Sequence, residues 1–523
     1  MKMLGHPSML PGSSLAQKRA LCQQPGWQQA TCFRARTFAR VSKGAAFASV
    51  APTDAPANAS TAPLPNVVRT LRERGLVQDV TSEQLEQLTV SQSVPVYCGF
   101  DPTADSLHLG NLLGIIVLSW FQRCGHQPVA LLGGATGRVG DPSGRSSERP
   151  ILTEEKIEGN VKAIGQLLDD ILRRNSQQGA SSSSSSSSSQ DGPPLRDVKV
   201  VNNLDWFGPM SFLAFLREVG KFARVGTMLS KDSVRTRMES ESGISFTEFT
   251  YQLLQGYDFV HLCREHGVRV QIGGSDQWGN IIAGTDLARR LLGREGEGEV
   301  EEGSQEASSS GTQTCYGLTF PLLVDSEGRK FGKSVDGAIW LSAEKLSPYK
   351  FYQHLFNVTD ADVVKFLKML TFMPLPEIEA LAASMSKPDY VPNTAQRRLA
   401  EEVTRFVHGE AGLQQALKTT EALKPGSATQ LDVATLEAVA GDAPSASLGR
   451  DAVAGATIAD VMVAAKMQPS KGAARKLIKG GGVYMNNQKV TEEMAKVEDK
   501  DLVDGRMLLL AAGKKNKMLI RVE

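Results

Sequence analysis

The stretch that decides the fold prediction is YCGFDPTADSLHLGN, residues 97–111. Residues 94–100 form an apolar run typical of a buried strand, and residues 109–124 predict a helix that is stopped by Gly125. Three more apolar runs predict further strands: 129–134, 198–201 and 268–272. A strand, a loop, a helix and another strand in this order predict an α/β fold, with helices on both faces of a parallel sheet.

The loop that ends this first strand suits a phosphate. A helix that opens at His108 would bring that imidazole and its own first N–H groups next to a bound phosphate. Gly110 has no side chain, so a flat purine has room beside the helix. The same pattern also fits a histidine that simply faces solvent.

A glycine-dense stretch, residues 133–145, follows the second predicted strand and contains Asp141. Backbone without side chains can approach a ligand closely, and Asp141 could hold an ammonium group. The stretch contains neither GxGxxG nor GxxxxGK[ST], so it supports neither a dinucleotide site nor a P-loop. An ordinary turn is the alternative.

Two further patterns carry polar groups. Tyr251, Gln255 and Asp258 have the spacing i, i+4, i+7, which places them on one face of a helix, facing either solvent or a pocket. The run QIGGSDQWGN, 271–280, ends a strand in two glycines followed by Asp276. An acid at the carboxyl end of a strand suits a ribose hydroxyl pair, although a helix cap is the alternative.

The run KFGKS, residues 330–334, carries two lysines three positions apart. In a loop, such a pair could clamp a polyphosphate, although lysines in a turn are commonly just solvated.

Taken together, these stretches resemble class I aminoacyl-tRNA synthetases. The sequences 97–111, 131–149, 243–259, 271–280 and 330–334 are similar to those of the bacterial-type tyrosyl-tRNA synthetases. The resemblance implies tyrosine activation by ATP, with the tyrosine carboxylate attacking the α-phosphate, followed by transfer of the tyrosyl group to tRNA(Tyr). Two departures are Asn111, where many relatives have the last His of HIGH, and KFGKS in place of KMSKS. Asn111 keeps a hydrogen-bonding amide.

The resemblance also implies roles for individual residues. A catalytic role falls on Thr103, His108, Asn111, Lys330 and Lys333. Tyrosine binding falls on Tyr97, Asp141, Tyr251, Gln255, Asp258 and Gln277. ATP binding falls on Cys98, Gly99, Asp101, His108, Gly110, Gly274, Asp276, Lys330, Lys333 and Ser334. ATP is expected as a substrate accompanied by Mg²⁺, with no tightly bound cofactor and no protein metal site. A symmetric homodimer is expected.

Four regions are predicted along the chain. Residues 1–65 contain no acid before Asp54 and have the composition of a chloroplast or mitochondrial transit segment. Residues 66–344 would form the Rossmann-like catalytic domain, interrupted by serine-rich (176–195) and glutamate-rich (293–313) insertions. Residues 345–445 would form a helical anticodon-binding domain, and residues 455–523 a small α/β RNA-binding domain.

Charge is distributed unevenly. Residues 1–53 carry seven basic side chains and no acid, and residues 466–523 carry 13 Lys/Arg against 7 Asp/Glu, which leaves −12 for residues 54–465. On the last segment, a helix that presents Lys471, Arg475 and Lys479 on one face is expected to meet RNA phosphates.

The six cysteines include no CxxC pair, so structural zinc is not expected, and no apolar run reaches the ~18 residues of a membrane span. Three alternatives stay open at this stage. They are a tryptophanyl-tRNA synthetase, a nucleotidyltransferase that uses an HxGH motif, and a non-enzymatic RNA-binding protein derived from a synthetase.

Overall fold

A computed structural model describes residues 63–523 except 145–146, 148–151, 182–194, 242, 294–313, 335–336, 425, 428–430, 432, 434–435, 438–443 and 514–515. Nearly all of the predicted transit segment, and most of both predicted insertions, therefore lie outside the described residues.

A six-stranded sheet forms the centre of the described catalytic region. Its strands are β1 Asp79–Val80, β2 Pro95–Phe100, β3 Gln127–Leu132, β4 Lys199–Asn202, β5 Val270–Gly274 and β6 Tyr316–Phe320. The order is β1-β6-β5-β2-β3-β4, and every pair is parallel except β1 with β6. The four strands predicted with bounds occur within about two residues of their expected positions, whereas β1 was not predicted. After β2, the chain adds β3 and β4 on one side of it, and then crosses back to add β5 and β6 on the other side. The strand order therefore reverses between β2 and β5, and α/β folds bind ligands at such a reversal.

Helices lie before, between and after these strands: α1 Val67–Glu73, α2 Gln84–Ser91, α3 Leu109–Arg123, α4 Glu154–Ser181, α5 Leu204–Phe207, α6 Phe212–Glu218, α7 Val225–Leu229, α8 Asp232–Met238, α9 Phe246–His266 and α10 Trp278–Leu292. The α4 helix continues through the first six residues of the predicted 176–195 insertion. The α9 helix begins where the Ser245 hydroxyl accepts the Glu248 N–H, and it ends at Gly267 in the left-handed region (φ 62°).

A short hairpin and a helical block follow: β7 Lys333–Ser334, β8 Gly337–Ala338, α11 Pro348–Phe356, α12 Asp360–Leu370, α13 Leu375–Ser384 and α14 Thr394–Ala422. The buried Arg74 guanidinium joins this block to the catalytic region, since it donates to the carbonyls of Lys368, Thr371 and Met373 at the end of α12. These carbonyls lack helical partners, so the arginine satisfies them.

The C-terminal module is a mixed five-stranded sheet with helices, made of β9 Ser445–Leu448, α15 Arg450–Val453, α16 Ile458–Ala464, α17 Lys471–Lys479, β10 Val483–Met485, β11 Gln488–Lys489, β12 Met507–Ala512 and β13 Asn516–Val522. It contacts the end of α14, where the Asn487 amide donates to the Ala422 carbonyl at 2.7 Å. Leu423 packs with Leu509 and Leu519 in the same cluster. Along the described residues, no helix is long and apolar enough to cross a bilayer.

A buried ion pair holds the segment before α9 against that helix. The Arg237 guanidinium donates to both carboxylate oxygens of Glu248, at 3.1 and 2.9 Å, and the two side chains are only 1% and 3% exposed. Arg237 lies in α8, whereas Glu248 is in the first turn of α9. Removing one partner would leave a buried charge uncompensated.

Replacing Glu248 with Ala is therefore expected to lower the free energy of unfolding by about 3–5 kcal/mol, measured by denaturant unfolding. The matched control is Glu73→Ala, which breaks the exposed Arg69–Glu73 pair (3.0 Å) and should cost less than about 0.5 kcal/mol. Equal effects of the two substitutions would contradict the prediction.

Candidate active site

A cavity of about 480 Å³ opens at the carboxyl ends of β2 and β5. The predicted tyrosine and ATP residues whose side chains are described all line it: Tyr97, Cys98, Gly99, Asp101, Thr103, His108, Gly110, Asn111, Asp141, Tyr251, Gln255, Asp258, Gly274, Asp276, Gln277 and Lys330. Lys333 and Ser334 form β7, but their side chains are outside the description. Residues separated by more than 200 positions thus meet at one edge of the sheet.

Asp258 lines this cavity and is only 2% exposed. Its two carboxylate oxygens accept hydrogen bonds from Asn203 Nδ2 at 3.1 Å and from Trp206 Nε1 at 3.0 Å. Burial raises the pKa of Asp258 well above its usual range, while the hydrogen bonds from Asn203 and Trp206 oppose that shift. Each oxygen keeps a lone pair for a further donor.

Tyr97 is buried near Asp258, and its hydroxyl has no hydrogen-bond partner among the described residues. Burial and then the Asp258 charge raise the pKa of this phenol, so it stays protonated. Two more buried side-chain oxygens in the cavity are also unpartnered, Oε1 of Gln255 and Oε1 of Gln271. Buried polar atoms are normally paired, so these three point to a polar ligand that fills the cavity.

A second carboxylate, Asp101, is held in the middle of the cavity. One oxygen accepts the Thr136 hydroxyl at 2.8 Å and the other accepts the Tyr251 hydroxyl at 2.9 Å. Asn203 links this group to Asp258, because its amide nitrogen donates to Thr136 Oγ1 at 3.1 Å as well as to Asp258. A Cβ atom at Gly133 would overlap Asp101 and Thr136, which explains the glycine there.

Asp141 and Gln277 form a third polar pair. The Asp141 carboxylate accepts the Ser143 N–H at 2.9 Å and the Gln277 side-chain amide at 2.8 Å. Lys231 lies close enough for Asp141 to affect its titration, and its Nζ is buried without a hydrogen-bond partner among the described residues. Burial lowers the pKa of Lys231 to about 8, and the Asp141 charge opposes that shift.

The start of α3 has a capping box. His108 Nδ1 accepts the Gly110 N–H at 3.1 Å, and Asn111 Oδ1 accepts the His108 N–H at 3.1 Å. In a neutral ring that accepts at Nδ1, the proton is on Nε2, which suits donation to an anion. The side-chain oxygen of Asn111 therefore caps the helix. From the sequence, Asn111 was assigned only a contact with the ligand, and this capping role was not predicted.

The KFGKS stretch lies against this helix start. A Cβ atom at Gly332 would be 2.9 Å from the Gly110 nitrogen, so the two backbones are in direct contact. The Gly332 carbonyl accepts the Ile339 N–H at 3.1 Å, and the Ile339 carbonyl accepts the Leu109 N–H at 2.7 Å. Lys330 therefore lines the part of the cavity next to the start of α3.

Five residues of the site were missed by sequence reasoning: Thr136, Asn203, Trp206, Lys231 and Gln271. For Asn203 a signal existed, since β4 ends at Asn202 and polar residues at strand ends were informative elsewhere. Trp206 and Lys231 carried no such signal, because only tertiary packing brings them to Asp258 and Asp141. Among the described residues, no group of three His, Cys, Asp or Glu side chains forms a candidate metal cluster.

Two comparisons identify the family. Residues 90–423 match the family described as tRNA synthetases class I (W and Y). The chain is 55% identical to the chloroplastic/mitochondrial tyrosine–tRNA ligase of Arabidopsis thaliana over 88% of this chain and 84% of that protein. It is 50% identical to the tyrosine–tRNA ligase of Protochlamydia amoebophila over 87% of this chain and 99% of that protein.

The chain belongs to the tyrosine–tRNA ligase family of class I synthetases. Among solved structures, it is similar to the C-terminally truncated mitochondrial tyrosyl-tRNA synthetases of Aspergillus nidulans and Coccidioides posadasii. Each is 32% identical, with TM-scores of 0.57 and 0.58, over 67% and 68% of this chain and 92% and 91% of the other. Residues 435–520 match the tyrosine–tRNA ligase SYY-like C-terminal domain.

In this ligase-family chain, the predicted RNA-binding helix is α17, capped by Ser470. The same side of this helix carries Lys471, Arg475 and Lys479, but the three differ in exposure and in ion pairing. Lys471 forms an ion pair with Asp460 at 2.6 Å, and Arg475 is half-buried, with its Nε lacking a hydrogen-bond partner in the described structure. Lys479 is exposed, as is Lys476.

Proposed function

We propose that this chain is an organellar tyrosine–tRNA ligase that makes tyrosyl-adenylate from L-tyrosine and ATP and then charges tRNA(Tyr). The tyrosine carboxylate attacks the α-phosphate, pyrophosphate leaves, and the 3′ end of the tRNA takes the tyrosyl group. No covalent bond to the protein forms, so the protein acts by positioning and by stabilising phosphate charge. Organellar function is supported by the acid-free segment 1–53 and by the chloroplastic/mitochondrial relative.

The buried, unpartnered Tyr97 hydroxyl beside Asp258 carries this proposal. A substrate phenol would donate its proton to Asp258 and accept the Tyr97 hydroxyl, which satisfies both groups. Phenylalanine would leave the buried Tyr97 hydroxyl without a partner, at about 1–3 kcal/mol, and would offer Asp258 no further donor. The indole of tryptophan has an N–H donor but no acceptor for Tyr97.

At the other end of tyrosine, the ammonium group would lie among Asp141, Tyr251, Gln255 and Gln277, with Asp101 behind Tyr251. The hydrogen bonds at Asp141 and Tyr251 support this assignment, because they fix acceptors that a cation needs. The carboxylate would then lie beside Gln277, facing the nucleotide.

ATP would occupy the part of the cavity next to α3. The ribose would contact Cys98, Gly99, Gly274 and Asp276, and the adenine would lie against Gly110. Burial raises the pKa of the Cys98 thiol to about 12, so this thiol is uncharged beside the ribose. The pyrophosphate would be held by Thr103, His108 and the loop residues Lys330, Lys333 and Ser334, with Asn111 keeping the helix start in place. Mg²⁺ would enter with the ATP phosphates.

The test of this proposal is amino-acid-dependent ATP–pyrophosphate exchange by the chain without its first ~65 residues. Exchange is expected with tyrosine and not with tryptophan or phenylalanine. Equal exchange with tryptophan, or none with tyrosine, would refute the proposed activity. An RNA-binding protein without catalysis would bind tRNA but show no exchange with any amino acid.

The Asp258–Trp206 hydrogen bond gives a sharper prediction. Trp206→Phe removes the N–H donor to Asp258 and should lower kcat/KM for tyrosine about 10- to 100-fold, because leaving a buried acceptor without its partner costs about 1–3 kcal/mol. The KM for ATP should stay nearly unchanged. Trp120→Phe is the matched control, since the buried Nε1 of Trp120 has no hydrogen-bond partner in the described residues. Equal losses in both variants would point to packing rather than to the hydrogen bond.

Homodimer formation is proposed from an exposed apolar face. Large apolar side chains from α6, α7 and the start of α9 face outward there: Phe212, Leu213, Val225 and Phe246, each more than 60% exposed. A neighbouring apolar cavity of about 610 Å³ includes Phe212, Val225 and Phe246 in its lining. Patches of this kind mark interfaces, and a twofold dimer is the commonest soluble assembly.

Sedimentation at micromolar concentration should therefore give about twice the mass of the processed chain. Phe212→Asp should shift the protein to monomer, because it places a charge in the centre of the contact. Val391→Asp is the control, since Val391 is as exposed (65% against 64%) but lies in the helical block. A monomeric unmodified protein would contradict the proposed dimer.

The basic C-terminal module is proposed to hold tRNA against the acidic remainder of the chain. Because Lys471 is engaged with Asp460, the exposed Lys476 and Lys479 are the better phosphate contacts. The helical block before the module is proposed to bind the anticodon.

The double variant Lys476→Ala/Lys479→Ala should weaken tRNA binding and lower its salt dependence by up to about one unit of slope per lost phosphate contact. Pyrophosphate exchange should be unchanged, because the tyrosine and ATP residues lie at or before Ser334. Lys500→Ala is the control of equal charge type, as Lys500 pairs with Glu498 at 2.6 Å. If the double variant bound tRNA with unchanged affinity and an unchanged salt slope, the proposal that the module holds tRNA through these lysines would be wrong.

A further inference from the structure

Two cysteines outside the cavity lie close to each other. Cys263 is in the last turn of α9, and Cys315 immediately precedes β6. Their Sγ atoms are 3.6 Å apart, with the Cys315 thiol donating to Cys263. Cys263 is 2% exposed, whereas Cys315 is partly exposed.

The backbone on either side of the pair is held in place. The Gly267 N–H donates to the Cys263 carbonyl at 3.1 Å, and the Tyr316 N–H donates to the Arg269 carbonyl at 2.8 Å. Arg269 Nε also donates to the Thr314 carbonyl at 2.7 Å. A disulfide has an S–S distance of about 2.0 Å, so closing the pair requires the sulfurs to approach by roughly 1.5 Å.

We propose that Cys263 and Cys315 are a modification site, at which peroxide converts the two thiols into a reversible disulfide. In the first step, the partly exposed Cys315 thiol takes one oxygen from hydrogen peroxide, giving a sulfenic acid and one water. In the second step, the Cys263 sulfur attacks the Cys315 sulfur, the S–O bond breaks, and hydroxide leaves with the Cys263 proton as a second water. One peroxide is reduced by two electrons, and one disulfide is formed.

The charges around the pair favour the second step. In the reduced pair, the hydrogen bond from Cys315 lowers the pKa of the Cys263 thiol, and the same bond together with burial raises the pKa of Cys315. The positive charges of Arg269 and Arg264 also lower the pKa of Cys263, and they remain after Cys315 is oxidised. A more acidic thiol has more of the nucleophilic thiolate, so Cys263 is the resolving cysteine. Exposure, and not acidity, selects the Cys315 sulfur for the oxidant.

The disulfide would act on the tyrosine end of the active site. Cys263 is on the helix that carries Tyr251, Gln255 and Asp258, and Cys315 packs against the cluster that contains Tyr97 and Phe259. An approach of the sulfurs inside a close-packed cluster must shift its neighbours. Oxidation is therefore expected to change the KM for tyrosine more than that for ATP, a consequence that rests on the proposed function.

The first experiment tests the disulfide alone. The full chain is treated with hydrogen peroxide, then denatured in the presence of iodoacetamide, which alkylates free thiols, and digested with a protease. Mass spectrometry should find the Cys263 and Cys315 peptides joined, lighter than their sum by two hydrogens, and dithiothreitol should return both to alkylated thiols. Cys98 and Cys124 should stay alkylated throughout. Over-oxidation of Cys315 to sulfinic acid without a joined peptide, or two alkylated thiols at every peroxide dose, would overturn the proposal.

The second experiment measures tyrosine-dependent exchange before and after oxidation. The KM for tyrosine should change by about threefold or more and recover on reduction, while the KM for ATP should stay nearly constant. Cys315→Ser should be insensitive to peroxide, and the control Cys124→Ser should respond like the unmodified chain. A joined peptide without any change in KM would overturn the link to tyrosine binding. Absence of exchange in the reduced protein would instead refute the proposed function.

Discussion

The side-chain amide of Asn203 is the contact on which the proposed tyrosine pocket depends. Its nitrogen donates to Thr136 Oγ1 and to Asp258, while its oxygen accepts the Ala135 N–H at 2.7 Å. Because Thr136 in turn donates to Asp101, one neutral side chain connects two carboxyl groups and keeps each with its own donors. Both carboxyl groups can then lie in the same cavity, since buried polar groups need hydrogen-bond partners.

The sheet order makes this contact possible. Asp101 follows β2, Thr136 follows β3, and Asn203 follows β4, so three consecutive parallel strands bring their carboxyl ends together. Asp258 reaches the same edge from α9, whose first turn is fixed by the Arg237–Glu248 pair. The segment between β4 and α9 therefore connects the exposed apolar face to the substrate pocket. An interface formed on that face would act directly on α9, the helix that carries Tyr251, Gln255 and Asp258.

Much of this arrangement could be predicted from the sequence, and the reason is local. Strands β2, β3 and β5 are buried apolar runs that end in glycine or polar residues. Such runs can be recognised in the sequence without knowledge of tertiary contacts. The edge strand β1 has only two residues and is defined by its pairing with β6. Two residues are too few to show the alternating pattern that predicts a strand. Trp206 is likewise recognisable only through its hydrogen bond to Asp258, 52 positions along the chain. The capping role of Asn111 was missed because the helix start was read for its ligands and not for its own unsatisfied N–H groups.

The contact between Gly332 and Gly110 has a consequence for how the two motifs can evolve. A serine at position 332, as in the KMSKS of the wider class, would bring its Cβ to 2.9 Å from the Gly110 nitrogen. The loop would then have to lie slightly further from the start of α3 than it does here. At Gly110 itself, a Cβ would approach the His108 ring to 2.9 Å, so the ring would have to move. A side chain at position 332 is therefore limited by backbone spacing rather than by the chemistry of the two lysines beside it.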